Sequence, residues 1–449
     1  MKLIAFIILL NLLSTLTHAS FVKDVQKTKW NDLDVVWVED EKFPRFTASF
    51  YFQDGALSDD FSGLTQATFD LLTAGTSTQN QKEIAQFFDF YGAKLKHSVT
   101  HEYSVLSLSG LTKDIQPLMG KVCELFKDAQ YPASELNSYV SRSKSHLKNL
   151  VTSHAALADR VFRQISLDGS SYEVPVEGTL NSFDKITKEK LIQRLKALSE
   201  TKKILYVSGP SEVKQLKSTI SEKCKWRSHQ YLSSKELKKP SSQSVIYLVP
   251  VPGANQAQIR IGRLMNREEL KGKIDNFHFL AAFLGGGFTS KLVQELRVKR
   301  GLTYSASAYV SVQKAYGRAG VSTFSKSETA SETISIIRDI FDELASNKIS
   351  DKEFNHQKGN TIGGFAFGFE ETSAFLGQLM LYEHQGRKVD DLEKFPENIQ
   401  RLKQTELAQA GLEAFPWNRM TILVVGDKAL EKTLSKIRPV RVINYEDYL

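Results

Sequence analysis

Arg297 and Tyr304 stand seven residues apart in LGGGFTSKLVQELRVKRGLTYSASAYV, Leu284 to Val310. A helix from about Ser290 would carry Arg297 near its end, Gly301 would stop it, and Tyr304 would begin the next strand. Guanidinium and phenol can then point into one cavity from two elements. On spacing alone the ordinary reading, a salt bridge and a packed aromatic, is favoured. The run Gly285, Gly286, Gly287 just upstream has two readings, close packing or a flexible loop beside a bound molecule. His97 and His101 have the spacing of helical metal ligands, but their surroundings alternate like a strand. Four strand residues span roughly 13 Å and cannot share one ion. No G-x-S-x-G elbow and no Cys-x-x-Cys occurs in the sequence. Phe365, Phe367 and Phe369 cluster beside glycines, where core packing is the better reading and a substrate-facing wall the lesser one.

A second stretch, GLTQATFDLLTAGT from Gly63 to Thr76, frames a helix between a Gly-Leu entry and a small-residue exit at Ala74-Gly75-Thr76. Around it, Arg45 to Phe52 and Ser104 to Ser109 alternate with the period of half-buried strands. Ile115 to Lys127 and Ser331 to Ala345 have the period near 3.6 of amphipathic helices. These patterns recur at an offset of about 209 to 218 residues. Ile204-Leu205-Tyr206-Val207-Ser208-Gly209 matches Ile422-Leu423-Val424-Val425-Gly426-Asp427, each a buried strand, a Gly turn and a Lys-bearing helix. Leu72 to Ser77 falls against Leu284 to Ser290, Tyr91-Gly92 against Arg300-Gly301, and Val122 to Phe126 against Ile337 to Phe341. Four matches in order imply duplication.

At 449 residues the chain exceeds what one core usually supports. The division is a segment 1–19, a first copy 20–228, a polar linker 229–243 and a second copy 244–449. Two copies imply two cores, and halves that are separately compact. The fold class expected is α+β, strands pairing as meanders with helices packed on one face of each sheet. Hydrophobic content of 41% with 24% charged residues is that of a folded globular protein. The opening MKLIAFIILLNLLSTLTHA has the form of a secretory signal peptide cut after Ala19, and no later stretch is apolar enough to span a membrane. With no retention sequence, a bacterial periplasm is the expected compartment. Cys123 and Cys224 read equally as one disulfide or two free thiols. Nothing pairs basic residues with aromatics in the manner of a nucleic-acid surface.

With both copies and the linker in view, the chain resembles the M16 metallopeptidases, the pitrilysin, insulin-degrading and mitochondrial processing peptidase group, over nearly all of its length. The resemblance implies two homologous α/β-sandwich domains forming half of a clamshell. Active relatives have His-x-x-Glu-His on the helix after the Gly-Leu entry, two imidazoles on zinc and a glutamate activating water. Here those places are Gln66, Phe69 and Asp70. A further zinc-binding glutamate is expected near Ser141 to Leu150, which has Arg142, Lys144, His146 and Lys148 but no acid. No metal and no cofactor is therefore expected in this chain. The resemblance assigns Arg297 and Tyr304 to holding substrate and stabilising the attacked carbonyl. It implies a zinc-bearing M16 partner chain, forming a heterodimeric peptidase acting on peptides or unfolded segments, or else a non-catalytic assembly or peptide-binding subunit. Peptide would add as a strand at a sheet edge. The candidates for that edge are the stretch Pro252 to Gln256 and the strand Ala257 to Ile261, with Gln256 and the loop Gly285, Gly286 and Gly287 as substrate-binding residues.

Overall fold

The alternating apolar runs pair into two sheets because each can bury one face only against a partner. In the computed structural model, which describes residues 24–224, 226 and 244–449, the first sheet comprises β1 Val25–Trp30, β2 Leu33–Glu39, β3 Arg45–Phe52, β4 Lys94–Val99, β5 Ser104–Leu111 and β6 Lys203–Gly209, in the order β1-β2-β6-β3-β5-β4. The second comprises β7 Ile246–Pro250, β8 Gln256–Asn266, β9 Ala306–Val312, β10 Tyr316–Lys326, β11 Thr421–Gly426 and β12 Val440–Val442, in the order β12-β7-β11-β8-β10-β9. The segment 1–19 and the linker 229–243 lie outside the described residues.

Five strands correspond one to one, β2, β6, β3, β5 and β4 repeating as β7, β11, β8, β10 and β9. The matched runs at 204 and 422 are β6 and β11, each parallel to its outer neighbour and antiparallel to its inner one. The sheets are thus mixed, with a parallel crossover where a pure meander was expected. Gly92 and Gly301, paired by the repeat, both turn the chain into an edge strand at φ +57° and +62°. L side chains other than Gly rarely adopt this conformation.

The helices used below are α1 Leu64–Asp70, α2 Gln81–Phe90, α3 Ile115–Asp128, α4 Ala133–Lys148, α5 His154–Leu167, α6 Lys188–Glu200, α7 Ile274–Gly285, α8 Ala330–Ala345, α9 Asp351–Phe365 and α10 Thr372–His384. Both faces of each sheet are covered, and the second cover comes from the other copy. Successive side chains of β2 split accordingly. Val35 and Trp37 join the core of the first copy, while Val36 and Val38 join Phe375, Leu376 and Leu379 of α10. In β11, Ile422 and Val424 face the second copy's own helices, and Leu423 and Val425 face the first copy's core. There α5 lies across β8 and β11. Gly262 makes room for it, since a Cβ at that position would come 2.9 Å from the Phe162 ring and 2.5 Å from the Ala319 carbonyl oxygen.

Polar groups close the junction. His384 of α10 meets the Tyr51 hydroxyl through Nδ1 and the Glu102 carboxylate through Nε2, both at 2.7 Å. Glu102 also accepts from the Tyr172 hydroxyl at 2.9 Å and from the backbone N–H groups of Lys314 and Ala315 at 2.7 and 2.9 Å. Burial would raise its carboxyl, but the bond and charge of His384 and the Lys314 donor outweigh this and hold it below the usual range. Within the first copy, Cys123 of α3 and Cys224 form a disulfide, which resolves the pair that sequence left open.

Candidate functional site

Helix α1 follows Gly63, whose φ of +87° sets the entry. Asp59 caps it, its Oδ2 accepting from the Thr65 N–H at 2.9 Å while Oδ1 accepts from the Thr65 hydroxyl. Asp59 also meets Arg194 of α6 at 3.2 Å, and the same guanidinium bonds Asp54 at 2.6 Å. Burial pushes the Asp59 carboxyl up to about 6, against the opposing effects of Arg194 and Thr65. Phe69 is buried, with Phe52 at 5.9 Å and the His97 ring stacked on it at 5.7 Å.

Asp70 is engaged on both oxygens. Oδ1 accepts from Gln66 Nε2 at 3.1 Å and lies 2.9 Å from His97 Nε2, and Oδ2 accepts from the Tyr139 hydroxyl at 3.1 Å. Burial first, then the Asp70 charge, pushes the Tyr139 phenol well above its ordinary value. The three degenerate positions therefore form one cluster with His97 and Tyr139, hydrogen-bonded around Asp70 and packed on Phe69. Among the described residues no group of three or more His, Cys, Asp or Glu side chains could hold a metal ion. Of the cations on the Ser141 to Leu150 stretch, Lys144 pairs with Asp184 at 2.5 Å, and Arg142 and Lys148 are exposed. His97 does not share a site with His101, whose Nε2 bonds the Val174 carbonyl at 2.8 Å. Spacing along the chain missed His97 and Tyr139 as partners of Asp70. They reach it from β4 and α4, so only the topology brings them there.

The second candidate site begins where α7 ends. Gly285 packs on the edge strand, and a Cβ there would come 1.9 Å from the Ala308 backbone nitrogen. Gly286 abuts Ala282 of its own helix, and Gly287, at φ +142°, faces open space. The chain then exposes Phe288 and forms a π-helical turn, Val293–Val298, which buries Leu296 and leaves Arg297 half-buried. Such turns recur at functional sites. Gly301 donates its N–H to the Arg297 carbonyl at 3.0 Å and ends the turn, as its residue type predicts. Tyr304 lies two residues before β9 rather than at its start, because Thr303 and Ser305 bond each other across a bend.

The Arg297 guanidinium carbon is 4.4 Å from the Tyr304 ring centroid and 5.2 Å from that of Phe288, and these rings are 72% and 74% exposed. Among the described residues Arg297 makes no ion pair. Its neighbours are occupied: Glu295 takes Lys299 at 2.6 Å and Arg300 at 2.7 Å, with Lys291 at 3.6 Å. Burial would raise Glu295, but the Lys299 and Arg300 hydrogen bonds and the Lys291 charge hold it at about 2.

Gln256 begins β8 opposite Lys326 of β10, at the same end of the sheet as the start of β9, with β10 between them. The proposed edge Ala257 to Ile261 is not an edge. It pairs with β10 on one side and β11 on the other, so its backbone groups are already used. The strands flanking the two candidate sites, β4 and β9, each stand at one end of their sheet, with β1 and β12 at the other ends. Phe367 is exposed, whereas Phe369 is buried beside Phe375.

Residues 186–360 match the family model described as the peptidase M16 inactive domain. A protein of Helicobacter pylori called a non-peptidase homolog, YmxG, is 21% identical over 428 residues, 93% of this chain and 96% of its own. An uncharacterized zinc protease of Streptomyces coelicolor is 22% identical over 344 residues, 71% of each. In three dimensions, a peptidase M16 inactive domain from Pseudomonas fluorescens superimposes with a TM-score of 0.79 at 20% identity, covering 90% of this chain and 98% of that one. The periplasmic protease PqqL from Escherichia coli gives 0.70 at 12% identity, 91% of this chain matching 48% of that one. Among the described residues no helix is long and apolar enough to cross a membrane. With fold, repeat and matches in agreement, the chain is similar to the M16 peptidases over most of its length, and its stretch 186–360 matches their inactive-type domain.

Proposed function

We propose that this chain is the zinc-free subunit of a two-chain secreted M16 peptidase, working in the periplasm. A partner chain of the same family brings zinc on an intact His-x-x-Glu-His helix, and this chain brings Arg297 and Tyr304 to the shared active site. In this reading 20–228 and 244–449 are two homologous units closing half of a chamber. A peptide lies as an added strand beside β9, near Gly285 to Gly287 and Gln256. The observation that carries the reading is the contrast between the two sites. At the metal positions of α1, Phe69 is buried and Gln66 and Asp70 are engaged in hydrogen bonds, whereas Tyr304 is exposed and the half-buried Arg297 lies against it with, among the described residues, no carboxylate on the guanidinium. Fixed donors of this kind stabilise the oxyanion that forms when water attacks a peptide carbonyl.

The test is reconstitution with the zinc-bearing paralogue from the same source. The chain alone has no turnover and the mixture gains it. Tyr304→Phe removes one hydroxyl and keeps the ring, so turnover falls about 10²- to 10³-fold, the usual effect of losing an oxyanion donor, while assembly survives. Full turnover in an intact complex favours the second reading, a non-catalytic peptide-binding subunit. The name of the Helicobacter pylori relative speaks for that alternative.

A further inference from the structure

The surface around Arg297 has a charge arrangement that peptide-holding alone does not require. Four cations lie within ten residues, Lys291, Arg297, Lys299 and Arg300. Glu295 draws in three of them and leaves Arg297 the unpaired one among the described residues. The guanidinium lies over two exposed rings, and among the described residues its N–H groups have no side-chain or backbone acceptor. Phe288 is itself held. Its carbonyl accepts from Gln294 Nε2 at 2.7 Å, which ties the loop after Gly287 back to the π-helical turn.

We propose that Phe288, Arg297 and Tyr304 form an open clamp for a carboxylate, with Phe288 and Glu295 as positioning residues. This rests on the reading of the surface as peptide-binding and gives it a specificity. The preferred peptide presents an acidic side chain or its free C-terminal carboxylate at Arg297. A planar guanidinium takes two carboxylate oxygens in parallel, which an amide cannot reproduce. Glu295 contributes at a distance. By neutralising Lys299 and Arg300 it prevents a competing, less directional attraction for the same anion.

Two measurements on the full chain test this. The first titrates acetyl-glutamate and acetyl-glutamine, each with its α-carboxyl blocked as the methylamide, while the Arg297 side-chain Nε–H resonance, assigned by its loss in Arg297→Lys, is followed. The acid moves it and the amide does not. A resonance that responds to neither overturns the clamp. The second measures binding of one unstructured labelled peptide in four forms: free acid, C-terminal amide, internal Glu and internal Gln. Carboxylate forms bind roughly ten- to hundredfold tighter, the range of a charge-assisted hydrogen bond, and the pair that differs identifies the carboxylate used. Arg297→Gln removes that difference, Phe288→Ala reduces it, and Phe288→Tyr keeps it. Equal binding of all four forms overturns the carboxylate preference and leaves peptide-binding standing. No binding of any form, with the acetyl-glutamate response intact, overturns peptide-binding and leaves the clamp.

Discussion

At the scale of single residues, the degenerate helix is held by packing more than by its polar contacts. Phe69 fills space between Phe52 and the His97 ring, and Phe69→Ala should cost about 3–5 kcal/mol. Asp70 makes three hydrogen-bond contacts but is about one-third exposed, so Asp70→Ala should cost about 1 kcal/mol. Urea unfolding of the two variants checks the order, and an Asp70→Ala loss as large as that of Phe69→Ala would show that the polar cluster is what keeps α1 in place. Asp59 behaves differently. Its folded pKa is raised, so the stability it contributes is fully present below 3.8 and is lost as pH rises through about 6. Measured against Asp59→Asn, wild-type stability should therefore fall by up to about 3 kcal/mol between pH 4 and pH 7. A flat or rising difference would mean that Arg194 keeps Asp59 ionised throughout.

At the scale of elements, the two glycines of the 285–287 run that sequence could not tell apart have opposite tolerances. Gly285→Ala drives a methyl into the β9 backbone and should lower the melting temperature by several degrees, whereas Gly287→Ala meets open space and costs about 1 kcal/mol of backbone strain. Equal melting temperatures for the two would contradict the packing of α7 on β9. Much of this layer was legible in the sequence. Ile204 to Gly209 and Ile422 to Gly426 announce buried strands by an unbroken apolar run and a Gly turn, and Gly301 announces its own stop. The edge assignment of Ala257 to Ile261 failed for a physical reason. An apolar run states that a strand is buried but not how many neighbours it has, and β8 has two. Burial on both faces of β11 is written in Ile422 to Val425, yet which element covers each face is not, since α5 lies more than 250 residues away. Separations of 27 and 69 residues from Asp70 likewise hid His97 and Tyr139 from any argument based on spacing.

At the scale of the whole molecule, the two sheets depend on each other's helices. Each sheet relies on the other copy for one of its two covers, α5 lying on the second sheet and α10 on the first. A chain cut once within 229–243 should therefore remain a single particle at neutral pH, while either half expressed alone should expose an apolar sheet face and aggregate. Gel filtration of the nicked protein decides between this and two separable units. Acid should weaken the junction. Glu102 has a lowered pKa, so its contribution is present above the unfolded value of 4.5 and is lost as pH falls through the folded one. Nicked halves that co-elute at pH 7 should begin to part below about pH 4.5. Truncating Glu102 to Ala, which strands His384 and the N–H groups of Lys314 and Ala315, should cost about 3–5 kcal/mol and part the halves already at neutral pH. If the Glu102→Ala halves co-elute at pH 7 as the wild-type halves do, the hydrogen-bonded junction is incidental, and the apolar contacts of Phe375, Leu376 and Leu379 with Val36 and Val38 hold the copies together alone.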